Sequence, residues 1–306
     1  MKKVLITGGA GYKGVLLTEA LLKEGCEVTI LDNFMYGYEP VLGFANEKNC
    51  HIVKKDIRNL KGEDVKDHDI IYHLAAISGY PACEANPHSA QTINVHSTES
   101  LVNLLAKDQI LVYASTTSIY GKSGQEQDEI SRPTPVSMYG VTKYKAEITC
   151  MQRKNSVALR FATLFGVSRK MRCDLLLNDF VYRAVRERSL VLFDCDSVRT
   201  FLHVRDAIRA YVTVLHQTEK MLGEIFNVGS NDMNYSKLDL AKKVREFIPF
   251  EIIESRLDDL DKRNFIIKFD KVKKLGFEPT VSVEDGIKEL VHLYSWYQPY
   301  NIFKTI

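Results

Sequence analysis

The chain has 306 residues, and its 41 lysines and arginines against 39 aspartates and glutamates leave a formal charge of +2. With 45% hydrophobic and 26% charged residues, its composition is that of a folded globular protein, which excludes a disordered chain, a collagen-like repeat and a coiled-coil rod. Balanced charge supplies no broad field for nucleic acid or an anionic membrane, so neither is expected as a partner and a small molecule is.

The chain opens with Val4-Leu-Ile-Thr7, a β-branched apolar run broken at once by glycine. It is too short for a secretory core or a membrane span, which points to a cytoplasmic protein. Gly8-Gly-Ala-Gly11-Tyr12-Lys13-Gly14 follows, and residues 15–23 then show helical spacing at Leu16, Leu17, Ala20 and Leu21. The order is strand, glycine turn, helix. Gly25 stops the helix, residues 27–31 form a second strand, and Asp32 stands at its carboxyl end. A βαβ unit of this length is right-handed and requires a parallel sheet.

Gly8, Gly11 and Gly14 place bare backbone N–H groups at the positive end of a helix, where a dinucleotide pyrophosphate binds. Asp32 can accept hydrogen bonds from an adenosine ribose and would repel a 2′-phosphate. No cation stands in Asn33-Phe34-Met35, so NAD is expected over NADP. Asp56-Ile57, after the third strand, either faces the adenine or forms a turn.

Strand-like runs at 51–54, 70–74, 110–115 and 157–161 alternate with amphipathic stretches at 90–107 and 139–153. That is the pattern of a doubly wound α/β sheet. Tyr139 and Lys143 lie one turn apart on the second stretch, so an ammonium stands beside a phenol and is expected to lower its pKa for proton exchange with a substrate hydroxyl. Tyr300 and Lys304 repeat the spacing without a site around them. Tyr139 differs in following a strand that ends Ser115-Thr116-Thr117, where a Thr116 hydroxyl can share the substrate oxygen. Past residue 165 the alternation loosens: a basic turn at 168–172, a helix at 175–185, short strands at 190–193 and 225–228, and helices at 237–247 and 283–294. The six cysteines are widely spaced, as expected for free thiols in a reducing compartment, and no metal site is expected.

Taken in order, the Thr7–Gly14 loop, Asp32, His73-Leu74-Ala75-Ala76, Ser115-Thr116, Tyr139-x-x-x-Lys143 and Arg199-x-Phe-x-His-Val-x-Asp206 resemble the extended short-chain dehydrogenase/reductases, in particular the NAD-dependent nucleotide-sugar epimerase/dehydratase family. The resemblance covers nearly the whole chain. It implies a Rossmann domain over residues 1–165 and a smaller α/β substrate lobe over 166–306, with some crossing of the chain between them. Tyr139 is then the acid/base, Lys143 its partner and a ligand of the nicotinamide ribose, and Thr116 a substrate hydrogen-bonding residue. Around NAD the resemblance adds Tyr12, Lys13, Asn33, Asp56, Ile57, Leu74, Ala75, Ala76, Asn94 and Ser115. Around a nucleoside-diphosphate sugar, UDP- or GDP-linked, it adds Ser78 and Thr117, with Asn178, Arg199 and Arg263 on the diphosphate. It also implies a homodimer formed through the helices at 90–107 and 139–153.

Departures from the family pattern narrow the reaction. Its dehydratases carry an Asp-Glu pair after the catalytic threonine, and its decarboxylases usually a Glu at the second of those positions; here they are Thr117 and Ser118. A familiar asparagine is Thr163. Lys13 replaces an apolar residue, placing a cation near the pyrophosphate or pointing to solvent. Residues 169–184 resemble a branch that includes a GDP-heptose 4-dehydrogenase and 4-epimerases. The expected activity is therefore oxidation at C4 of the sugar, as a 4-epimerase if the hydride returns or a net 4-dehydrogenase if it leaves. A nucleotide-binding regulator without chemistry is the rival from another class, and His73 and His203 are rival bases.

Overall fold

The computed structural model describes residues 1–255, 257, 259, 261 and 263–299; Tyr300 and Lys304 lie outside them. Seven parallel strands, β1 (Lys3–Thr7), β2 (Glu27–Asp32), β3 (Cys50–Lys54), β4 (Ile70–His73), β5 (Ile110–Thr116), β6 (Ser156–Phe161) and β7 (Ile225–Val228), form one sheet in the order β7-β6-β5-β4-β1-β2-β3. Helices cover both faces, so Val4, Leu5 and Ile6 of β1 and every residue of β6 are buried. The helices of eight residues or more are α1 (Gly14–Lys23), α2 (Ser97–Leu104), α3 (Met138–Met151), α4 (Leu176–Arg186), α5 (Val204–His216), α6 (Lys237–Phe247) and α7 (Val283–Trp296). None is long and apolar enough to cross a membrane among the described residues.

Strand order reverses between β1 and β4, and the crevice at such a switch point is where open α/β sheets take their ligands. A second core, with Phe165, Leu177, Phe180, Leu240, Ile287 and Tyr294, is built from α4, α6, α7 and a three-stranded sheet of Thr163–Phe165, Val198–His203 and Asn234–Ser236. A small parallel pair, Ser189–Leu192 with Glu251–Glu254, adds to it, while a second, Lys122–Gln127 with Asn264–Ile267, packs Phe265 and Ile267 into the core of the large sheet.

The structure differs from the sequence reading in three places. Residues 225–228, expected in the second lobe, form the seventh strand of the large sheet beside β6. Helix α5, missed in the sequence, buries Ala207, Ile208, Tyr211 and Val214 in the same core as Leu17 and Leu21 of α1, so the chain returns to the first lobe after residue 203. The stretch at 90–107 is not one helix: a wider π turn, Gln91–His96, precedes α2 and turns Asn94 inward.

Helix α3 is pinned to the sheet by charge. Arg160 of β6 makes a bidentate pair with Glu147 of α3 (2.6–3.2 Å), and Ser115 of β5 donates to the same carboxylate at 2.5 Å. Both charged side chains are buried. Ser137 caps α3 by accepting from Gly140 N at 3.1 Å. Those contacts set the depth of Tyr139 and Lys143 at the carboxyl end of β5.

Candidate functional site

A cavity of about 410 Å³ runs along the carboxyl ends of the strands, from the loops after β2 and β3, across the glycine turn, to the second lobe. Its first end is shaped by glycine. Gly8 has φ +72°, and a Cβ there would lie 2.7 Å from Ala75 N, so the loops after β1 and β4 meet only because the side chain is absent. At Gly11 a Cβ would meet only Gly8 O, at 3.2 Å, leaving a bare backbone face on the cavity. The backbone N–H groups of Tyr12 and Lys13, just ahead of α1, donate to no other described residue. Bare amides, an open backbone face and a helix N-terminus fit a pyrophosphate.

Asp32 accepts from Ala10 N (3.0 Å) and Phe34 N (2.8 Å). Burial raises its pKa and those N–H groups pull it back. Each carboxylate oxygen keeps acceptor capacity toward the cavity, which fits a ribose diol. Asp56 forms a turn, accepting from Arg58 N, Nε and Nη2 at 2.7–2.9 Å, and it also borders the cavity with Asn33 and Ile57. The Arg58 pairing holds its carboxyl down at about 2. Leu74, Ala75 and Ala76 line the wall beside Gly8.

Tyr139 stands in the middle of the cavity, with the hydroxyls of Ser78 and Thr116 near enough to its phenol to act on its pKa. Burial raises its pKa, and the two hydroxyls and Arg172 oppose that rise. The depression expected from Lys143 is not found: burial sets the direction, and Lys143 is not among the groups that act on the phenol. Lys143, 3% exposed, lies behind the tyrosine with its ammonium 4.2 Å from the Tyr113 ring centre. No hydrogen bond or ion pair ties that ammonium to another described residue, and burial draws its pKa down to about 8. Thr116 donates to Ser118 (3.1 Å), which also accepts from Arg263, so a chain of polar groups runs from Tyr139 to the far end. Thr117 turns aside to Phe161 O at 3.2 Å.

Arginines form the far end. Arg263 is held by the Asp261 carboxylate, and Arg199 donates to backbone carbonyls at Val198, Asp261 and Arg263. Burial pushes Asp261 up, but the Arg263 and Arg199 guanidinium groups hold it at about 2; burial and Arg263 lower Arg199 to about 10. Both arginines border the cavity. Two guanidinium groups at one carboxylate make a site for a further anion.

Three expected residues do not line the cavity. Asn94 accepts from Ile77 N (2.8 Å) and donates to Ile77 O and Thr142 Oγ1, fixing the loop that carries Ser78 and the helix that carries Tyr139. Asn178 was expected on a diphosphate, but its buried amide is occupied by Gly166 N (2.9 Å) and Arg172 O (2.9 Å). Lys143 is buried and does not border the cavity. The Lys13 side chain, half-buried and bordering the cavity, lies over Phe161 and donates to Tyr211. His73 sits between Thr7 and Thr98 with its pKa lowered by burial to about 3, and His203 joins Arg205 N to Glu289; neither reaches the cavity. The sequence reading noted the basic turn without assigning Arg172 to the site. Its guanidinium is paired with Asp174 and donates to Ser78 at 3.2 Å. Asp261, Asp259 and Lys237 were also missed, since lone acids and a helix-start lysine carry no spacing signal.

Residues 4–229 match the model of the NAD dependent epimerase/dehydratase family. The UDP-N-acetyl-alpha-D-glucosaminuronate decarboxylase of Bacillus cytotoxicus is 28% identical, the alignment covering 96% of this chain and 98% of that one. The dTDP-D-glucose 4,6-dehydratase of Mus musculus is also 28% identical, over 96% of this chain and 88% of that one. Among solved structures, the UDP-glucuronic acid 4-epimerase of Bacillus cereus, in complex with UDP-glucuronic acid and NAD, superposes with a TM-score of 0.84 at 26% identity, covering 96% of this chain and 99% of that one.

Proposed function

The chain belongs to the NAD-dependent epimerase/dehydratase family, and from that premise we propose that it oxidises C4 of a nucleoside-diphosphate sugar and acts as a nucleotide-sugar 4-epimerase. The observation that carries the reading is the hydroxyl cluster Ser78–Tyr139–Thr116 at mid-cavity, with no carboxylate at positions 117 and 118.

The members of this family are NAD-dependent enzymes. The glycine turn and the Tyr12 and Lys13 amides would hold the pyrophosphate of NAD and Asp32 its adenosine ribose, and the Lys143 ammonium, buried just outside the cavity lining, would serve the second ribose. When bound, NAD would supply a reversible hydride acceptor for a sugar carbon. Arg199 and Arg263 hold the sugar-linked diphosphate; the relatives named above act on UDP- and dTDP-linked sugars, so UDP-sugars are the first to test. Thr116 and Ser78 orient the sugar hydroxyl against Tyr139, whose phenolate oxygen takes the hydroxyl proton as the carbonyl forms and returns it as the carbonyl is reduced. The ammonium of Lys143, arriving charged beside a bound ribose, favours that phenolate.

Removing water across C5–C6 requires an acid and a base beside the ring, and Thr117 and Ser118 supply hydroxyls instead. This disfavours 4,6-dehydration despite the similarity to a dehydratase. A net 4-dehydrogenase shares the first half-reaction and differs only in whether the keto sugar leaves before the hydride returns. Incubation with a panel of nucleotide sugars, followed by NMR of the products and absorbance of NADH, separates the outcomes. The C4 epimer without net NADH is expected. Loss of activity by roughly two or more orders of magnitude in Tyr139→Phe, with NAD still bound, accompanies it; an unchanged sugar pool across the panel would sink the proposal.

A further inference from the structure

Lys13 is the one cationic side chain of the glycine turn, and it is tied to an aromatic slot rather than left free in solvent. Its ammonium donates to the Tyr211 hydroxyl at 3.0 Å and lies 4.5 Å from the centre of the Phe161 ring and 5.5 Å from that of Tyr211. Tyr211 is fully buried in α5, and its carbonyl is anchored by the Tyr72 hydroxyl at 3.2 Å. Lys13 and Phe161 both border the cavity.

The charges around this ammonium are of its own sign. Among the described residues no carboxylate forms an ion pair with it, and the charged groups that act on it most strongly are Lys143 of α3 and Arg172 of the loop before α4. The phenol it touches is itself within electrostatic reach of Tyr139. Lys13 therefore belongs to the Tyr139–Lys143 end of the cavity, not to the adenosine end. A half-buried ammonium without a counter-charge is costly to a fold, and packing does not call for one here, since an apolar side chain would fill the same aromatic slot.

We propose that Lys13, seated on Tyr211, biases the bound cofactor toward its reduced form. The inference rests on the reading above, in which the Tyr139–Lys143 end receives the nicotinamide. The nicotinamide ring of NAD⁺ carries a positive charge and that of NADH does not, so a cation in the same low-dielectric pocket opposes the first and leaves the second untouched. For like charges within roughly 8 Å at an effective dielectric near 20, the effect is on the order of tenfold or more in relative affinity. Burial and the two neighbouring cations lower the lysine's pKa, so the bias strengthens as pH falls and the amine takes up its proton. The facing groups are Lys143 and Tyr139 of α3, Arg172, and Tyr211 of α5. A cofactor that holds its hydride longer lengthens the life of the keto sugar, which is the interval an epimerase needs for its sugar to present the other face.

The test compares dissociation constants of NAD⁺ and NADH by calorimetry at pH 6.5 for the wild type, Lys13→Met, Lys13→Gln and Lys13→Arg. The ratio Kd(NAD⁺)/Kd(NADH) should fall about tenfold or more in Lys13→Met and Lys13→Gln and stay near the wild-type value in Lys13→Arg. The two neutral variants serve as each other's control for folding. A ratio unchanged in a folded neutral variant that binds both forms overturns the Lys13 inference and leaves the functional reading standing. Wild-type protein that binds neither form overturns both.

Discussion

Replacing Lys143 by methionine should make the cofactor-free protein more stable at neutral pH, although the lysine is central to the proposed chemistry. In the unfolded chain a lysine titrates near 10.4; in the fold, burial brings Lys143 down to about 8. Between those pH values the unfolded chain binds a proton that the folded one does not, so stability rises with pH across that window. Below about pH 8 the fold carries the full penalty. At 1.36 kcal/mol per pH unit the gap amounts to about 3 kcal/mol. Methionine keeps the unbranched stem and removes the charge. It also removes the contact of the ammonium with the Tyr113 ring at 4.2 Å, worth about 1–2 kcal/mol in a desolvated setting. The net expectation is a gain of about 1–2 kcal/mol at pH 7 that fades by pH 10. Urea unfolding of the cofactor-free wild type and variant at the two pH values measures it. A variant less stable than wild type at pH 7, or a gain that ignores pH, would refute the reasoning.

Other perturbations reach different parts of the account. Glu147→Gln leaves the Arg160 guanidinium buried without its counter-charge and should destabilise by about 3–5 kcal/mol, while the double change Glu147→Leu with Arg160→Met recovers most of that loss; thermal and urea unfolding give both values. Arg263→Ala should raise KM for the nucleotide sugar by about 10–100-fold with a much smaller change in kcat, the signature of a lost charge-assisted contact to a non-reacting diphosphate. Asp32→Ala should weaken NAD by a similar factor, measured by calorimetry, through loss of the ribose hydrogen bonds.

The parts of the site that were legible in the sequence are the local ones. A strand, three glycines and a helix lie within twenty residues, Asp32 marks the end of the next strand, and Tyr139 and Lys143 share a helix face by spacing alone. What the sequence concealed depends on contacts between distant segments. Arg172 meets Ser78 across 94 positions, and Asp261 is placed by arginines 62 and two positions away. The strand at 225–228 gives no sign that it returns to the first sheet, because a short apolar run reads the same in either lobe. Asn94 and Asn178 look like ligand-binding amides until the backbone groups that occupy them are seen. Spacing placed an ammonium beside Tyr139 but said nothing about burial, which the structure makes the larger influence on the phenol.

The central claim, reversible oxidation at C4 through Tyr139, is tested most directly with a nucleotide sugar carrying deuterium at C4. If the hydride leaves C4 and comes back to the opposite face, the product is the C4 epimer with the deuterium still on C4 and none lost to water. Loss of the C5 hydrogen to solvent, release of carbon dioxide, or an epimer whose C4 position carries solvent hydrogen would contradict it.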